Sequence, residues 1–259
     1  MAASRDDCRL PAGLVPPPGG VTLDRLAGDW WIYQWRGGHR YGTDDVACAH
    51  EAVLVLPGAR RVLELGAGTG SVGLLVLGVL SGEAELVAVE IQPESCWLLE
   101  RTVRRNGLEG MVRVVCADLR GFDPGAERFD LVVANPPYLQ PGCATEPANR
   151  HRLLARLELN GDAFDFCRAA ARCLAPGGRF VFTHSARDPR PPRAVERAGM
   201  RLLWRREVVF REGREATIAV LVCGREGETS AVEPLVVRDA AGEYHPSIRA
   251  VRRLLRMEE

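Results

Sequence analysis

The chain has 259 residues and a formal net charge of zero, with 34 basic and 34 acidic side chains, and 46% of its residues are hydrophobic. This length can bury one α/β core with an appendage, and the neutral balance neither indicates nor excludes a nucleic-acid partner. No apolar run approaches the roughly 20 residues of a membrane-spanning helix, and the N-terminus lacks an apolar signal-peptide core, so we predict a cytoplasmic protein without membrane contacts.

Cysteine and arginine usage narrows the chemistry further. The eight cysteines lie mostly in apolar segments, and none forms a Cys-x-x-Cys pair. We interpret them as free thiols of the core and predict neither disulfides nor a bound metal. Every basic residue is arginine, which binds phosphate in a bidentate manner, so a local basic face is compatible with the neutral total.

The N-terminal part divides into two segments. Residues 1–20 are rich in proline and glycine and lack periodicity, so we predict a disordered N-terminus. Residues 21–56 are predicted to form a small N-terminal cap and a leading helix. The cap, over residues 21–41, holds three of the five tryptophans and is interpreted as a short hairpin. The helix is predicted to begin near Thr43 and to end before Pro57.

Residues 57–259 are predicted to form the main domain, which begins with alternating strand and helix patterns. Strands are predicted at 61–65, 85–90, 112–116, 129–134 and 178–184. Helices are predicted at 69–81, 93–106 and 161–174. Such alternation indicates a parallel, doubly wound α/β sheet with helices on both faces.

The C-terminal part departs from this alternation. Apolar runs at 201–210 and 216–223 are separated by only five residues, and they predict an antiparallel hairpin that completes a seven-stranded, mostly parallel sheet. Residues 235–237 are a candidate for one more edge strand. A terminal helix is predicted at 246–256, and we interpret its arginines as a solvated face. They are Arg249, Arg252, Arg253 and Arg256.

A glycine-rich turn follows the first strand of the main domain. Leu63-Glu64-Leu65-Gly66-Ala67-Gly68-Thr69-Gly70 leads from this strand into a helix, whose first N–H groups are free to bind a ligand. Glu90 ends the second strand, where a carboxylate accepts ribose hydroxyls, and Asp118 follows the third strand. Because these strand ends meet at one edge of the sheet, we predict a cofactor site there. Its residues are Glu64, Gly66, Ala67, Gly68, Gly70, Glu90, Ile91, Asp118 and Leu119.

The same turn permits a second interpretation. Gly68-Thr69-Gly70-Ser71-Val72-Gly73 fits the Gly-x-Gly-x-x-Gly fingerprint of dinucleotide-binding enzymes, and Glu90 lies 20 residues after Gly70. An NAD enzyme is therefore an alternative, although such an enzyme has no use for the motif that follows the fourth strand.

That motif is Asn135-Pro136-Pro137-Tyr138, directly after the apolar run 129–134. Two prolines cannot continue a central strand, so the chain leaves the sheet here in a fixed, extended bend. The bend presents the Asn135 amide and the Pro136 carbonyl as acceptors beside the ring of Tyr138. A planar NH2 group offers two donors to these acceptors, so the tetrad and the glycine-rich turn together indicate methyl transfer to a planar nitrogen. The predicted catalytic residues are Asn135, Pro136, Pro137 and Tyr138, and Asn135 is also assigned to the cofactor site.

The tetrad resembles that of adenine-N6 methyltransferases and that of glutamine methyltransferases acting on release factors. Three other segments resemble bacterial tRNA(Val) adenine-N6 methyltransferases, namely 23–44, 89–93 and 233–244. This resemblance covers nearly the whole chain after residue 20. It implies the class I methyltransferase fold, S-adenosylmethionine as the cofactor, and RNA as the partner. The implied target is a tRNA adenine next to the anticodon.

The resemblance also implies roles for individual residues. Asn135 and Pro136 would accept hydrogen bonds from the target amino group, and Tyr138 would stack on the base. The segment with Arg40 and Thr43 would fold over the methionine end of the cofactor. From the residues alone, Thr43 and its neighbour Asp44 equally suggest a cap of the following helix. Position 139 is leucine, where the family often has an aromatic residue.

Several interpretations stay open. The Trp30, Trp31 and Trp35 group is expected to form a small hydrophobic cap, with a base-stacking surface as the alternative. The arginines of 150–156 are expected near the substrate mouth, either on phosphate or on a solvated loop. Two functional alternatives are a protein glutamine methyltransferase and an inactive methyltransferase-fold module that binds RNA. The intact glycine-rich turn and tetrad speak against the second of these.

Overall fold

The computed structural model describes residues 13–17, 19–80, 82–142 and 149–257. These residues form ten strands and seven helices. The strands are β1 (Val21–Ala27), β2 (Trp30–Trp35), β3 (Arg61–Leu65), β4 (Glu85–Glu90), β5 (Val112–Cys116), β6 (Phe129–Ala134), β7 (Leu174–Ser185), β8 (Arg201–Val209), β9 (Ile218–Gly224) and β10 (Leu235–Val236). The helices are α1 (Thr43–Val55), α2 (Ser71–Leu77), α3 (Pro93–Arg105), α4 (Arg150–Arg156), α5 (Ala163–Cys173), α6 (Arg190–Arg197) and α7 (Pro246–Leu254). The predicted disorder of residues 1–20 falls largely outside the described residues.

The main sheet has eight strands in the order β10-β8-β9-β7-β6-β3-β4-β5. Strand β9 is antiparallel to both of its neighbours, and the remaining pairs are parallel. This confirms the mostly parallel sheet with an antiparallel hairpin. The predicted count of seven strands is one too low, because Leu235 and Val236 pair in parallel with the end of β8.

Strand β3 is the point where the chain reverses its direction of travel across the sheet. After β3, β4 and β5 are added on one side, and the chain then returns to place β6 on the other side of β3. Leu65 is paired with Ala134, the last residue of β6. Ligands of open α/β sheets bind at such a switch point, outside the carboxyl ends of the strands.

Alternate residues of the central strands enter two separate apolar cores. Leu131 and Val133 face the core formed with α1, α2 and α7, whereas Val132 and Ala134 face the core formed with α5 and α6. This alternation is the period of two expected of a strand, with helices on both faces of the sheet. No helix among the described residues has the length and apolar character required to cross a membrane.

Three local features differ from the sequence prediction. Helix α2 begins only at Ser71, because Gly70 adopts a left-handed conformation with φ of 86°. Strand β7 begins at Leu174, four residues before the predicted start at 178, and its pairing with β6 shifts register in this added part. Helix α6 was not predicted, since its sequence begins with two prolines, which a first helical turn tolerates.

The β1–β2 hairpin forms its own two-stranded sheet and docks on α3, which confirms the predicted cap. Its free edge is covered by side chains of that helix. The Trp31 N–H donates to Asn106 Oδ1 at 2.8 Å, and Asn106 Nδ2 donates back to the Trp31 carbonyl at 2.8 Å. Trp35 is 1% exposed and stacks on Trp97. Burial of this ring favours the hydrophobic cap over a base-stacking surface.

Asn106→Ala should lower the free energy of unfolding by about 1–3 kcal/mol, because both backbone polar groups of Trp31 lose their partner. Chemical denaturation followed by tryptophan fluorescence measures this change. Asn106→Asp keeps the acceptor for the Trp31 N–H, so its free energy of unfolding should lie between those of the wild type and the alanine variant. An unchanged unfolding midpoint for the alanine variant would show that water replaces these bonds at no cost.

Candidate active site

A cavity of about 890 Å³ of empty space, its open mouth included, lies where β3, β4 and β6 end. We call this space the cofactor cavity, after the cofactor that the sequence predicts. Ten of the predicted site residues line it. They are Glu64, Gly66, Ala67, Gly68, Glu90, Ile91, Asp118, Leu119, Asn135 and Pro137.

The glycine-rich turn forms the floor of this cavity. Gly66, Gly68 and Gly70 all have positive φ, at 67°, 56° and 86°. Side chains are disfavoured in that region, so the backbone approaches the cavity without Cβ atoms. Gly70 does not line the cavity, because its hydrogens face Leu99, and a Cβ there would collide with that side chain. Its role is to start α2.

Glu90 is a fixed acceptor in the cavity wall. Its side chain is 4% exposed, and its two oxygens accept hydrogen bonds of 2.8 Å from the N–H groups of Gly68 and Gln92. Burial raises the pKa of this carboxyl above its usual value. Each carboxylate oxygen has a second lone pair, so Glu90 remains able to accept a pair of ribose hydroxyls.

Two further carboxyls differ in their surroundings. Glu64 is buried, its Oε2 lacks a hydrogen-bond partner among the described residues, and burial holds its pKa well above the usual range. Asp118 instead pairs with Arg120, whose Nε lies 2.9 Å from Oδ2, and this guanidinium holds the pKa of Asp118 below its usual value.

The structure does not bring Arg40 and Thr43 into this cavity. Arg40 donates to Thr22 and, at 2.9 Å, to Asp24 of the hairpin, so its guanidinium is held away from the cavity. Thr43 lines a separate cleft. Their neighbours Tyr41 and Asp45 line the cavity instead.

The tetrad borders a second, smaller pocket of about 310 Å³, which we call the target pocket. Asn135 and Pro137 line both this pocket and the cofactor cavity, whereas Pro136 and Tyr138 line the target pocket alone. The two spaces therefore adjoin at Asn135. The remaining walls of the target pocket come from Leu139, directly after the tetrad, and from three other places in the chain. These are His39, Asp44, and the pair Ala155 and Arg156.

A hydrogen-bond network that the sequence did not reveal holds the Asn135 amide. Its Oδ1 accepts from the Thr183 hydroxyl of β7, and its side chain is hydrogen-bonded to Asp45 of α1. Asp45 also accepts from the Ser71 hydroxyl at 2.9 Å and from the Gly42 N–H at 2.8 Å. Asp45, rather than Thr43 or Asp44, thus closes the start of α1. Burial, aided by the nearby charge of Asp44, raises the pKa of Asp45 to about 7.

Helix α4 covers part of the cofactor cavity. His151 fastens it, since its Nε2 lies 3.0 Å from Ser95 Oγ and its Nδ1 accepts from the His39 N–H at 3.3 Å. Burial lowers the pKa of His151 to about 4, which keeps the ring neutral as these bonds require. This segment, for which phosphate contact and a solvated loop were the two alternatives, is therefore a helix and not a loop, and Arg156 reaches the target pocket.

An ion cluster behind Tyr138 supports the tetrad. His184 is fully buried with its two ring nitrogens 3.7 Å from Glu158 and 3.7 Å from Asp188. Within the described ranges, these three are the residues whose ligand atoms lie close enough for a metal. Arg190 already donates to both carboxylates, which opposes a second cation. The Glu158 N–H donates to the carbonyl of the residue after Tyr138, so the cluster anchors this loop.

Comparison with known proteins identifies the chain. The methyltransferase small domain family matches residues 51–197, more than half of the chain. This range holds the glycine-rich turn, Glu90, Asp118 and the tetrad.

The chain belongs to the methyltransferase small domain family.

This assignment excludes the NAD enzyme considered for the glycine-rich turn. Among curated relatives, this methyltransferase is 27% identical over 221 residues to the tRNA1(Val) (adenine(37)-N6)-methyltransferase of Tolumonas auensis, a match that covers 85% of this chain and 91% of the relative. It is 28% identical over 243 residues to the enzyme of that name from Dickeya chrysanthemi, covering 91% and 93%. A release factor glutamine methyltransferase of Geobacter sulfurreducens is 34% identical over 143 residues, but the match covers 52% of this chain and 49% of that one.

Solved structures confirm the methyltransferase fold. A predicted O-methyltransferase from Agrobacterium tumefaciens has a TM-score of 0.61 at 19% identity, covering 84% of this chain and 98% of that one. A 16S rRNA N2 methyltransferase from Thermus thermophilus, in complex with AdoMet and guanosine, has a TM-score of 0.57 at 20% identity, covering 80% and 50%.

The raised pKa of Asp45 predicts a pH dependence for the stability of this methyltransferase. The carboxyl has a pKa of about 7 in the folded chain, against 3.8 as its ordinary value. The folded chain therefore binds more protons across this interval, and the free energy of unfolding should fall as pH rises from about 4 to about 7.

Asp45→Asn should remove this component, so the variant should gain stability relative to the wild type between pH 5 and pH 8. Urea unfolding at several pH values measures the difference. Parallel pH profiles for the two chains would mean that Asp45 is already ionised at pH 5.

Proposed function

We propose that this methyltransferase transfers the methyl group of S-adenosylmethionine to the exocyclic N6 of an adenine in RNA, with tRNA as the substrate. The proposal rests chiefly on the junction at Asn135, where the cofactor cavity meets the target pocket. A methyl donor in the first space and an amino group in the second would face each other across this side chain. An RNA substrate also fits the expected cytoplasmic location.

The residues of the larger cavity fit the parts of the proposed cofactor. Glu90 would accept the ribose hydroxyls, and the open backbone at Gly66 and Gly68 would pass beneath the ligand. Glu64, which also lines this cavity, would lie beside the methionine part. The Asp118–Leu119 stretch would lie against the adenine. When bound, S-adenosylmethionine supplies a methyl group on a sulfonium sulfur. This sulfur is already a good leaving group.

The target pocket supplies position rather than a strong base. Asn135 Oδ1 accepts from Thr183 and retains a lone pair for the target amino group. The Pro136 carbonyl would be the second acceptor, and the Tyr138 ring the surface on which the base stacks. Acceptors that hold the amino hydrogens leave the nitrogen lone pair directed at the methyl group. Such alignment accounts for most of the acceleration that this reaction needs.

The comparisons favour adenine over glutamine as the target. The likeness to the adenine-N6 enzymes extends over 85% and 91% of this chain, so it includes regions outside the shared methyltransferase core. The likeness to the glutamine enzyme is limited to 52% of the chain. The tetrad and the network around Asn135 are complete, which argues against an inactive RNA-binding module. A base in structured RNA would have to be unstacked to enter the pocket.

Asn135→Ala should retain cofactor binding but lose methyl transfer by roughly a hundredfold or more, because a positioned partner of the reacting group is removed. Single-turnover kinetics and calorimetry with S-adenosylmethionine separate the two effects. Glu90→Gln serves as a control. In this variant, weakened cofactor binding should be the primary defect, and the loss of methyl transfer should follow from it. A raised Michaelis constant for RNA with normal turnover in the Asn135 variant would limit Asn135 to recognition.

Labelled S-adenosylmethionine, added with the enzyme to a cell lysate, tests the class of substrate. The account expects label in the RNA fraction, and within it in the tRNA size range. Label confined to protein would replace the proposal with a glutamine methyltransferase. The Asn135→Ala variant is the control for transfer by other enzymes of the lysate.

A further inference from the structure

Helix α7 carries a continuous row of arginines. Arg249, Arg252 and Arg253 are spaced at i, i+3 and i+4, which places them along one side of the helix, and Arg256 follows in the turn after the helix ends at Leu254. Apolar residues of the same helix, including Ile248 and Val251, face the core. Three of the four arginines are exposed, and Arg252 is partly buried.

Helix α7 has no acidic side chain of its own. The sequence contains no aspartate or glutamate between positions 245 and 257. Arg40, by contrast, pairs with Asp24 of the hairpin. In the part of the chain that the structure describes, Arg249, Arg253 and Arg256 make no ion pair. A solvated helical face normally mixes charges of both signs, so a face of one sign calls for a polyanionic partner.

The arginine row adjoins the proposed active site. A cleft of about 540 Å³ separates Arg252 from the segment Tyr41–Thr43. Tyr41 also lines the cofactor cavity, and Asp44, the residue after this segment, lines the target pocket. A nucleotide in the target pocket would therefore bring its neighbours in the strand toward α7.

Helix α7 is held firmly in this position. The guanidinium groups of Arg238 and Arg252 lie 4.5 Å and 5.3 Å from the centre of the Tyr244 ring. The Arg256 carbonyl accepts from the Gly28 N–H of the hairpin turn at 2.7 Å. These contacts hold the backbone of the helix in place beside the hairpin turn.

We propose that the arginine face of α7 binds the phosphate backbone of the RNA whose base enters the target pocket. This inference rests on the proposed function and adds a location for RNA contact. It replaces the earlier interpretation of these arginines as a merely solvated face. The arginines would bind phosphates and not bases, so this contact would contribute affinity without sequence preference.

The test compares two double variants of equal charge. Arg249→Gln with Arg253→Gln removes two charges from the face. Arg193→Gln with Arg201→Gln removes two exposed charges from α6, which packs on the other face of the sheet, and from the start of β8, away from the end of β8 that pairs with β10. We expect the α7 variant to raise the Michaelis constant for RNA about tenfold, to change turnover less than twofold, and to leave affinity for S-adenosylmethionine unchanged. The slope of log affinity against log salt should fall by about 1–2.

Arg249→Lys with Arg253→Lys retains both charges and should keep most of the RNA affinity. A lysine variant as weak as the glutamine variant would overturn the phosphate contact, as would an RNA Michaelis constant and salt slope equal to those of the control. Either result would leave the proposed function intact if the wild type still methylates RNA. Absence of RNA methylation by the wild type would instead overturn the proposed function itself.

Discussion

Parallel pairing of β3 with β6 is the constraint on which the active site depends. Leu65 and Ala134 are paired as the last residues of these strands, so Gly66 and Asn135 leave the sheet side by side. One of these residues begins the glycine-rich floor of the cofactor cavity, and the other begins the tetrad of the target pocket. The junction of donor and acceptor spaces therefore follows from sheet topology, and a shift in this register would separate them.

Segments outside the sheet complete the site by fixing its polar groups. Asp45 from the leading helix and Thr183 from β7 hold the Asn135 amide from two directions. These two hydrogen bonds fix the orientation of the Asn135 amide. His151 fastens α4 over the cofactor cavity as a neutral ring. The N-terminal cap looks like an appendage in the sequence. The chain nevertheless runs from it directly into α1, which carries Asp45.

The sequence predicted those parts of the fold that have strong local signals. Strands β3 to β6 were placed at their observed bounds, because each is a short apolar run flanked by turn residues. Helix α6 was not predicted, because the two prolines near its start are typical of a segment that is not helical. The cap of α1 was assigned to Thr43 and Asp44 rather than to Asp45, and Arg40 was assigned to the cofactor although it pairs with Asp24. Such side-chain networks join distant parts of the chain and leave no periodic pattern.

A chain of zero net charge can still present a local arginine face, so an RNA-modifying enzyme need not be basic overall. The central claim concerns the nitrogen that receives the methyl group. Nucleoside mass spectrometry of unmodified tRNA, after incubation with the enzyme and S-adenosylmethionine, tests it most directly. The account predicts N6-methyladenosine as the new nucleoside, absent with Asn135→Ala. A methyl group on a ring nitrogen, or on guanine, would contradict it.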